Sequence, residues 1–221
     1  MQISKIEAVI FDMDGVLIDS EPSWQQAELE VFNALGLNLT LADTKQTTGL
    51  RIDQVVSYWH QRRPWANYNN SETTQQISER MVATILQSGT PLKGVLQALA
   101  ACKQTKLKIG LATSSPQCIL EAVLTRLDIR QHFDAIESAE GLRYGKPHPE
   151  VYLNCAAQLN IEPHLCLAIE DSYHGLISAR AANMQTIVIP APEDRGQARW
   201  VLAHAELNDL DELATQLLNK S

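Results

Sequence analysis

Short apolar runs closed by polar turns recur along the chain at residues 6–11, 107–113, 133–136, 165–169 and 186–189. They lack the strict alternation of a strand with one wet face, so they are predicted to be strands buried on both sides. Between the later runs, apolar positions recur at helical spacing over residues 94–103, 116–127, 149–159 and 172–182. Strand and helix in alternation predict an α/β fold, a doubly wound parallel sheet. Helix ends agree with this pattern. Ser114 and Ser115 ahead of Pro116 read as an N-cap hydroxyl and a first-turn proline. Asn183 stands where a residue closing a helix takes the left-handed conformation.

The alternation fails once. From about residue 21 to 88 no strand candidate follows the first, only helical patterns over 23–35, 52–63 and 72–86, joined by polar linkers such as ANYNNSE at 66–72. This predicts a small all-helical insertion at 17–88, with residues 1–16 and 89–221 forming the α/β core.

Composition narrows the classes. With 221 residues and 45% hydrophobic content the chain buries a large core. A net charge of -8 and no basic stripe disfavour a nucleic-acid binder. Cys102, Cys118, Cys155 and Cys166 are scattered through apolar stretches without a CxxC pair, which reads as reduced thiols. The first apolar run is too short and too charged for a signal peptide or a membrane span. The expectation is a soluble, cytoplasmic monomer with no membrane partner.

Four segments carry candidate chemistry, and each has a plainer structural alternative. In FDMDG (11–15), residues two apart in an extended chain share a side, so Asp12 and Asp14 both project past the end of the first strand, where open α/β sheets bind ligands; an acidic turn is the alternative. LATSS (111–115) brings Thr113 and Ser114 to a strand end that opens a helix, whose free N–H groups suit a phosphoryl oxygen. GKPHPE (145–150) fixes Lys146 in a proline turn. AIEDSYHG (168–175) ends an apolar run in Glu170 and Asp171, hard oxygen ligands suited to Mg²⁺, or else an acidic helix cap.

Together, and in this order, the four segments resemble the four motifs of the haloacid dehalogenase superfamily of phosphotransferases, across essentially the whole chain. The insertion resembles the small helical cap of its β-phosphoglucomutase-like branch. DMDGVLIDSEPSW and GLRIDQVVSYW are similar to bacterial sugar phosphatases acting on 2-deoxyglucose 6-phosphate and hexitol phosphates. The resemblance implies a Mg²⁺-dependent phosphatase for small sugar or polyol phosphates of the hexose 6-phosphate type. Asp12 would then be the nucleophile that forms an aspartyl phosphate, and Asp14 the acid and base. Mg²⁺ would be held by Asp12, the Asp14 backbone carbonyl and Asp171, with Glu170 a ligand or an outer neighbour. Thr113, Ser114 and Lys146 would cradle the phosphoryl group. A carboxylate approaching a phosphate ester meets roughly 4 kcal/mol of repulsion per unit pair at 4 Å and an effective dielectric of 20, which metal and lysine must offset.

Departures from the pattern separate rivals. Where the mutases carry a histidine in the first cap helix, this chain has Trp24, which favours a phosphatase over a phosphomutase; Asp14 disfavours a dehalogenase. A non-catalytic sugar-phosphate sensor is the rival from another class. Trp24, Trp59 and Trp65 sit at helical spacings that suit packing better than a sugar platform. The histidines form no ligand spacing. Arg51, at the start of the second cap helix, either pairs with Asp53 or swings over the site on cap closure to bind substrate hydroxyls.

Overall fold

The computed structural model describes residues 5–219. Its elements run β1 (Ala8–Phe11), α1 (Glu21–Ala34), α2 (Leu41–Thr44), α3 (Ile52–Arg62), α4 (Asn70–Ser88), α5 (Val95–Gln104), β2 (Lys108–Thr113), α6 (Gln117–Leu127), β3 (Ala135–Ser138), α7 (Glu150–Leu159), β4 (Cys166–Glu170), α8 (Tyr173–Ala181), β5 (Gln185–Val188), β6 (Ala205–Glu206) and α9 (Leu210–Leu218). The strands form one sheet in the order β3-β2-β1-β4-β5-β6, and every pairing is parallel. β1 is central, as the reach of its carboxylates toward motifs on both sides requires.

Register aligns the chemistry. Phe11 lies opposite Leu111 on β2 and Ile169 on β4, so Asp12, Thr113 and Glu170 emerge at neighbouring carboxyl ends. β1 is wholly buried and its side chains alternate between faces. Ala8 and Ile10 pack with Tyr152, Cys155 and Ala156 of α7, while Val9 and Phe11 join Val95 and Leu99 of α5 and Leu213 of α9. The second cluster continues through Met13, Leu17 and Ile18 into the helical insertion, reaching Phe32, Val55, Trp59 and Met81. Insertion and sheet therefore share one apolar body.

Several expectations shift. The third strand starts at Ala135 rather than 133, because a turn of 3-10 helix occupies Arg130–His132 and Asp134 then bonds the backbone N–H of Ile109 at 2.9 Å through its carboxylate. α6 begins at Gln117, with Pro116 itself at the cap position and no serine hydroxyl capping the helix. Asn183 does close α8 with φ 63°. β6 and α9 were absent from the pattern reading. β6 is two residues long, but α9 has clear helical spacing at Leu210, Leu213, Ala214 and Leu217 behind an Asp209 cap. Among the described residues the four cysteines are free, and no helix is long and apolar enough to cross a membrane.

Candidate active site

Asp12 follows β1 directly, its N–H held by the Ile169 carbonyl at 2.9 Å. The turn beyond it needs Gly15, whose φ is +72° and at which an added Cβ would lie 1.9 Å from the Asp171 carboxylate. A side chain at this position would push Asp171 out of the site.

Lys146 is 2% exposed and anchors the other side. Its Nζ donates to Asp12 Oδ1 at 2.7 Å, Glu170 Oε1 at 2.7 Å and the Ala112 carbonyl at 3.1 Å. An ammonium has three donors, and all three are used. The cation also lies 4.9 Å from the Tyr152 ring centroid. Burial alone would pull its pKa down, but the Asp12 and Glu170 carboxylates outweigh that and hold the lysine charged above its ordinary range. Glu170 is itself fully buried. Its Oε1 also accepts from the Tyr152 hydroxyl at 2.6 Å, and its Oε2 from the Ser172 hydroxyl at 3.2 Å.

Asp14 faces the insertion and accepts three side-chain hydrogen bonds. Ser20 Oγ and Trp24 Nε1 reach Oδ1 at 2.5 and 3.1 Å, and Ser115 Oγ reaches Oδ2 at 2.6 Å. Trp24 is therefore more than packing, which corrects the expectation for that residue. Trp59 is buried in the insertion core, and Trp65 packs with Phe32, His60 and Tyr68, as expected of them.

Thr113 and Ser114 both line the cavity. The Thr113 hydroxyl accepts from the Ser115 N–H at 3.0 Å, and the Ser114 hydroxyl is buried without a partner. The α6 terminus is less free than the sequence implied. The Gln117 N–H is taken by Glu140 at 2.8 Å.

Asp12, Glu170 and Asp171 each offer an oxygen within 4.8 Å of the others. Burial pushes Asp12 up to about 7, helped by Glu170 and Asp14 and opposed by Lys146. Burial, then Asp12 and Glu170, pushes Asp171 well above the carboxylate range. A converging set of hard oxygens with too little positive charge fits a divalent cation such as Mg²⁺.

Arg51 stands elsewhere. It forms a two-point pair with Asp53 at 2.6 and 2.9 Å, and its Nη1 donates to the Ala139 and Leu142 carbonyls at 2.9 and 2.6 Å. The guanidinium is spent on the loop between β3 and Lys146, outside the cavity. This corrects its placement among substrate-binding residues: the Asp53 pairing forms, and the remaining donors clasp the core.

The cavity itself measures about 70 Å³, room for a few water-sized groups. Its wall opposite the strand ends comes from α1 (Glu21, Gln25 and Glu28) and from Thr44 and Thr47. None of these five was singled out from sequence. Periodicity gave no clear signal, because positions 21, 25 and 28 lie on the same side of α1 as Phe32, and Trp24 on that of Val31, so polar and apolar residues share the buried side.

The family model of haloacid dehalogenase-like hydrolases matches residues 9–189. Hexitol phosphatase B of Escherichia coli K12 is 46% identical over 213 residues, covering 96% of each chain. A fructose-1-phosphate phosphatase of the same species is 30% identical, covering 81% of this chain and 94% of its own. Among solved structures, CbbY from Rhodobacter sphaeroides in complex with phosphate superposes with a TM-score of 0.84 at 25% identity, covering 97% and 99% of the two chains. A β-phosphoglucomutase from Clostridium difficile gives 0.81 at 25%, covering 97% and 98%.

Proposed function

The chain belongs to the haloacid dehalogenase-like hydrolases, and from that premise we propose that it is a Mg²⁺-dependent phosphatase of small sugar or polyol phosphates. The observation that carries this reading is the convergence of Asp12, Asp14, Thr113, Lys146 and Asp171 on one cavity at the strand ends. The 46% identity to a hexitol phosphatase supports the substrate class.

In this reading Asp12 attacks the phosphorus through its carboxylate, the ester oxygen leaves, and an aspartyl phosphate forms. Asp14, aimed by Ser20, Trp24 and Ser115, protonates the departing alkoxide and then takes a proton from the water that hydrolyses the intermediate. Lys146, immobilised by its acceptors, faces the transferring group with a fixed positive charge. Asp12, the Asp14 backbone carbonyl and Asp171 would hold Mg²⁺, which supplies charge neutralisation for the incoming phosphate. Glu170 holds Lys146 and would be either a ligand of Mg²⁺ or an outer neighbour of it. Thr113 and Ser114 contact the phosphoryl oxygens. Residues 17–88 act as a cap over a core of 1–16 and 89–221, and the working form is a cytoplasmic monomer, which suits four free thiols.

Trp24 favours a hydrolase over a mutase. Its indole N–H only donates, so the residue beside Asp14 cannot pass a proton to a second sugar hydroxyl. This supports transfer of the phosphoryl group to water. The test is phosphate release across a panel of sugar and hexitol phosphates with Mg²⁺, using Asp12→Asn as control. The reading expects release by the wild type and none by the variant. Retention of all phosphate as an isomerised ester would replace it with the mutase, and binding without turnover with the sensor.

A further inference from the structure

Glu28 occupies a position that fold stability does not explain. It lies on α1, is 7% exposed, and lines the cavity. Its Oε2 is buried without a hydrogen-bond partner, and no cation pairs with it among the described residues. A buried, unpartnered carboxyl costs free energy unless something else meets it.

We propose that Glu28 is a specificity-determining residue whose carboxyl hydrogen-bonds the hydroxyl groups of a polyol chain esterified to the phosphate. The inference rests on the phosphatase reading and adds to it the residue that reads the substrate's carbon chain. Placement supports it. Glu28 stands one helical turn, about 6 Å, beyond Trp24, whose indole touches Asp14. A group there meets substrate atoms several bonds past the ester oxygen, where a polyol carries hydroxyls and a simple phosphate ester carries nothing.

On the cap side the cavity wall sets hydroxyl and amide groups beside Leu50, Ile52 and Val55, while the cation in the lining, Lys146, sits at the strand ends and is held by Asp12 and Glu170. Thr44 and Thr47 donate their hydroxyl hydrogens to the backbone carbonyls of Leu41 and Thr44 and keep lone pairs to accept. Gln25 donates to Glu21 at 3.0 Å. Burial, reinforced by Glu21, pushes the Glu28 carboxyl up to about 8. At neutral pH it is mostly protonated, so it can both donate to and accept from a hydroxyl and does not add full negative charge beside a phosphate ester.

The test compares wild type, Glu28→Gln and Glu28→Leu on a hexitol 6-phosphate and on p-nitrophenyl phosphate, with thermal unfolding in parallel. The expected result is a fall of at least about 10-fold in the ratio of kcat/KM for the hexitol phosphate to that for p-nitrophenyl phosphate in Glu28→Leu, carried by KM. Glu28→Gln, which still donates and accepts, should fall less. Glu28→Leu should also melt about 2–4 °C higher, because an unpartnered polar group has gone. An unchanged ratio in both variants overturns the inference, as does an equal loss on both substrates. A wild type that releases no phosphate from any sugar or polyol ester overturns the phosphatase reading itself, a result distinct from either.

Discussion

Lys146 shows how a buried charge is tolerated at the scale of one residue. Its three shortest contacts are two carboxylates and a carbonyl, so removing it strands Asp12 and Glu170 together in a dry site. Breaking such a network costs about 3–5 kcal/mol. Lys146→Met should therefore lower both activity and denaturant stability. Adding Glu170→Gln should recover part of the stability and none of the activity, because one stranded charge is gone while the phosphoryl site still lacks its cation; a double variant no more stable than the single would contradict this. Asp14 makes a separate case. Asp14→Asn should slow alkyl phosphates far more than p-nitrophenyl phosphate, whose leaving group needs no proton, and Trp24→Phe should show the same bias in weaker form. Steady-state kinetics on both esters decides. Asp12, Asp14 and Asp171 were singled out from sequence because they follow strand ends, and Lys146 because it stands in a proline turn within one of four segments that resemble a known set of motifs. The roles of Trp24 and Ser115 were not legible, since the direction of an indole or a hydroxyl is set by packing between elements far apart in the chain.

The helix α1 concentrates what the sequence left unread. Its buried side mixes apolar and polar residues: Ala27, Val31 and Phe32 enter the core, while Glu21, Gln25 and Glu28, on the same side, close the cavity. Periodicity sends polar residues to solvent; it does not report that some of them share the buried side. The same limit hid β6, too short to have a pattern, whereas the capped and periodic α9 was there to be read. Burial of Glu28 has a measurable consequence in the pH dependence of stability. The Glu28 carboxyl holds its proton in the folded state up to about pH 8, well above where it titrates in the unfolded chain. Between these values the folded state binds more protons, so stability from this group is greatest in acid and is lost as pH rises toward 8. Denaturant midpoints measured from pH 5 to 8 should fall more steeply for wild type than for Glu28→Gln. Parallel curves would mean that Glu28 ionises freely in the folded protein.

At the scale of the whole molecule, the helical insertion and the sheet share one apolar cluster and enclose a cavity of about 70 Å³. The contacts across the seam between α1–α4 and the strand ends set how readily the site opens and how firmly it closes. Metal removal separates chemistry from architecture here. Chelation should abolish turnover and lower the melting temperature by a few degrees through lost linkage, without cooperative unfolding, because the sheet core is built of apolar contacts that the cation does not touch. Arg51 is the polar clasp on the seam, joined to Asp53 on its own side and to the Ala139 and Leu142 carbonyls on the other. Hydrogen bonds from a charged donor contribute about 1.5–3 kcal/mol each when well made. The loop it grips runs directly to Lys146, so its release disturbs the reacting centre and not the recognition of one substrate. Arg51→Ala should therefore reduce kcat/KM for a hexitol phosphate and for p-nitrophenyl phosphate by similar factors, about 10-fold for a loss near 1.4 kcal/mol. Amide exchange across residues 139–145 should accelerate in the same variant. A loss confined to the hexitol phosphate, with exchange unchanged, would instead return Arg51 to the substrate, reached in a closed arrangement in which it lets go of the loop.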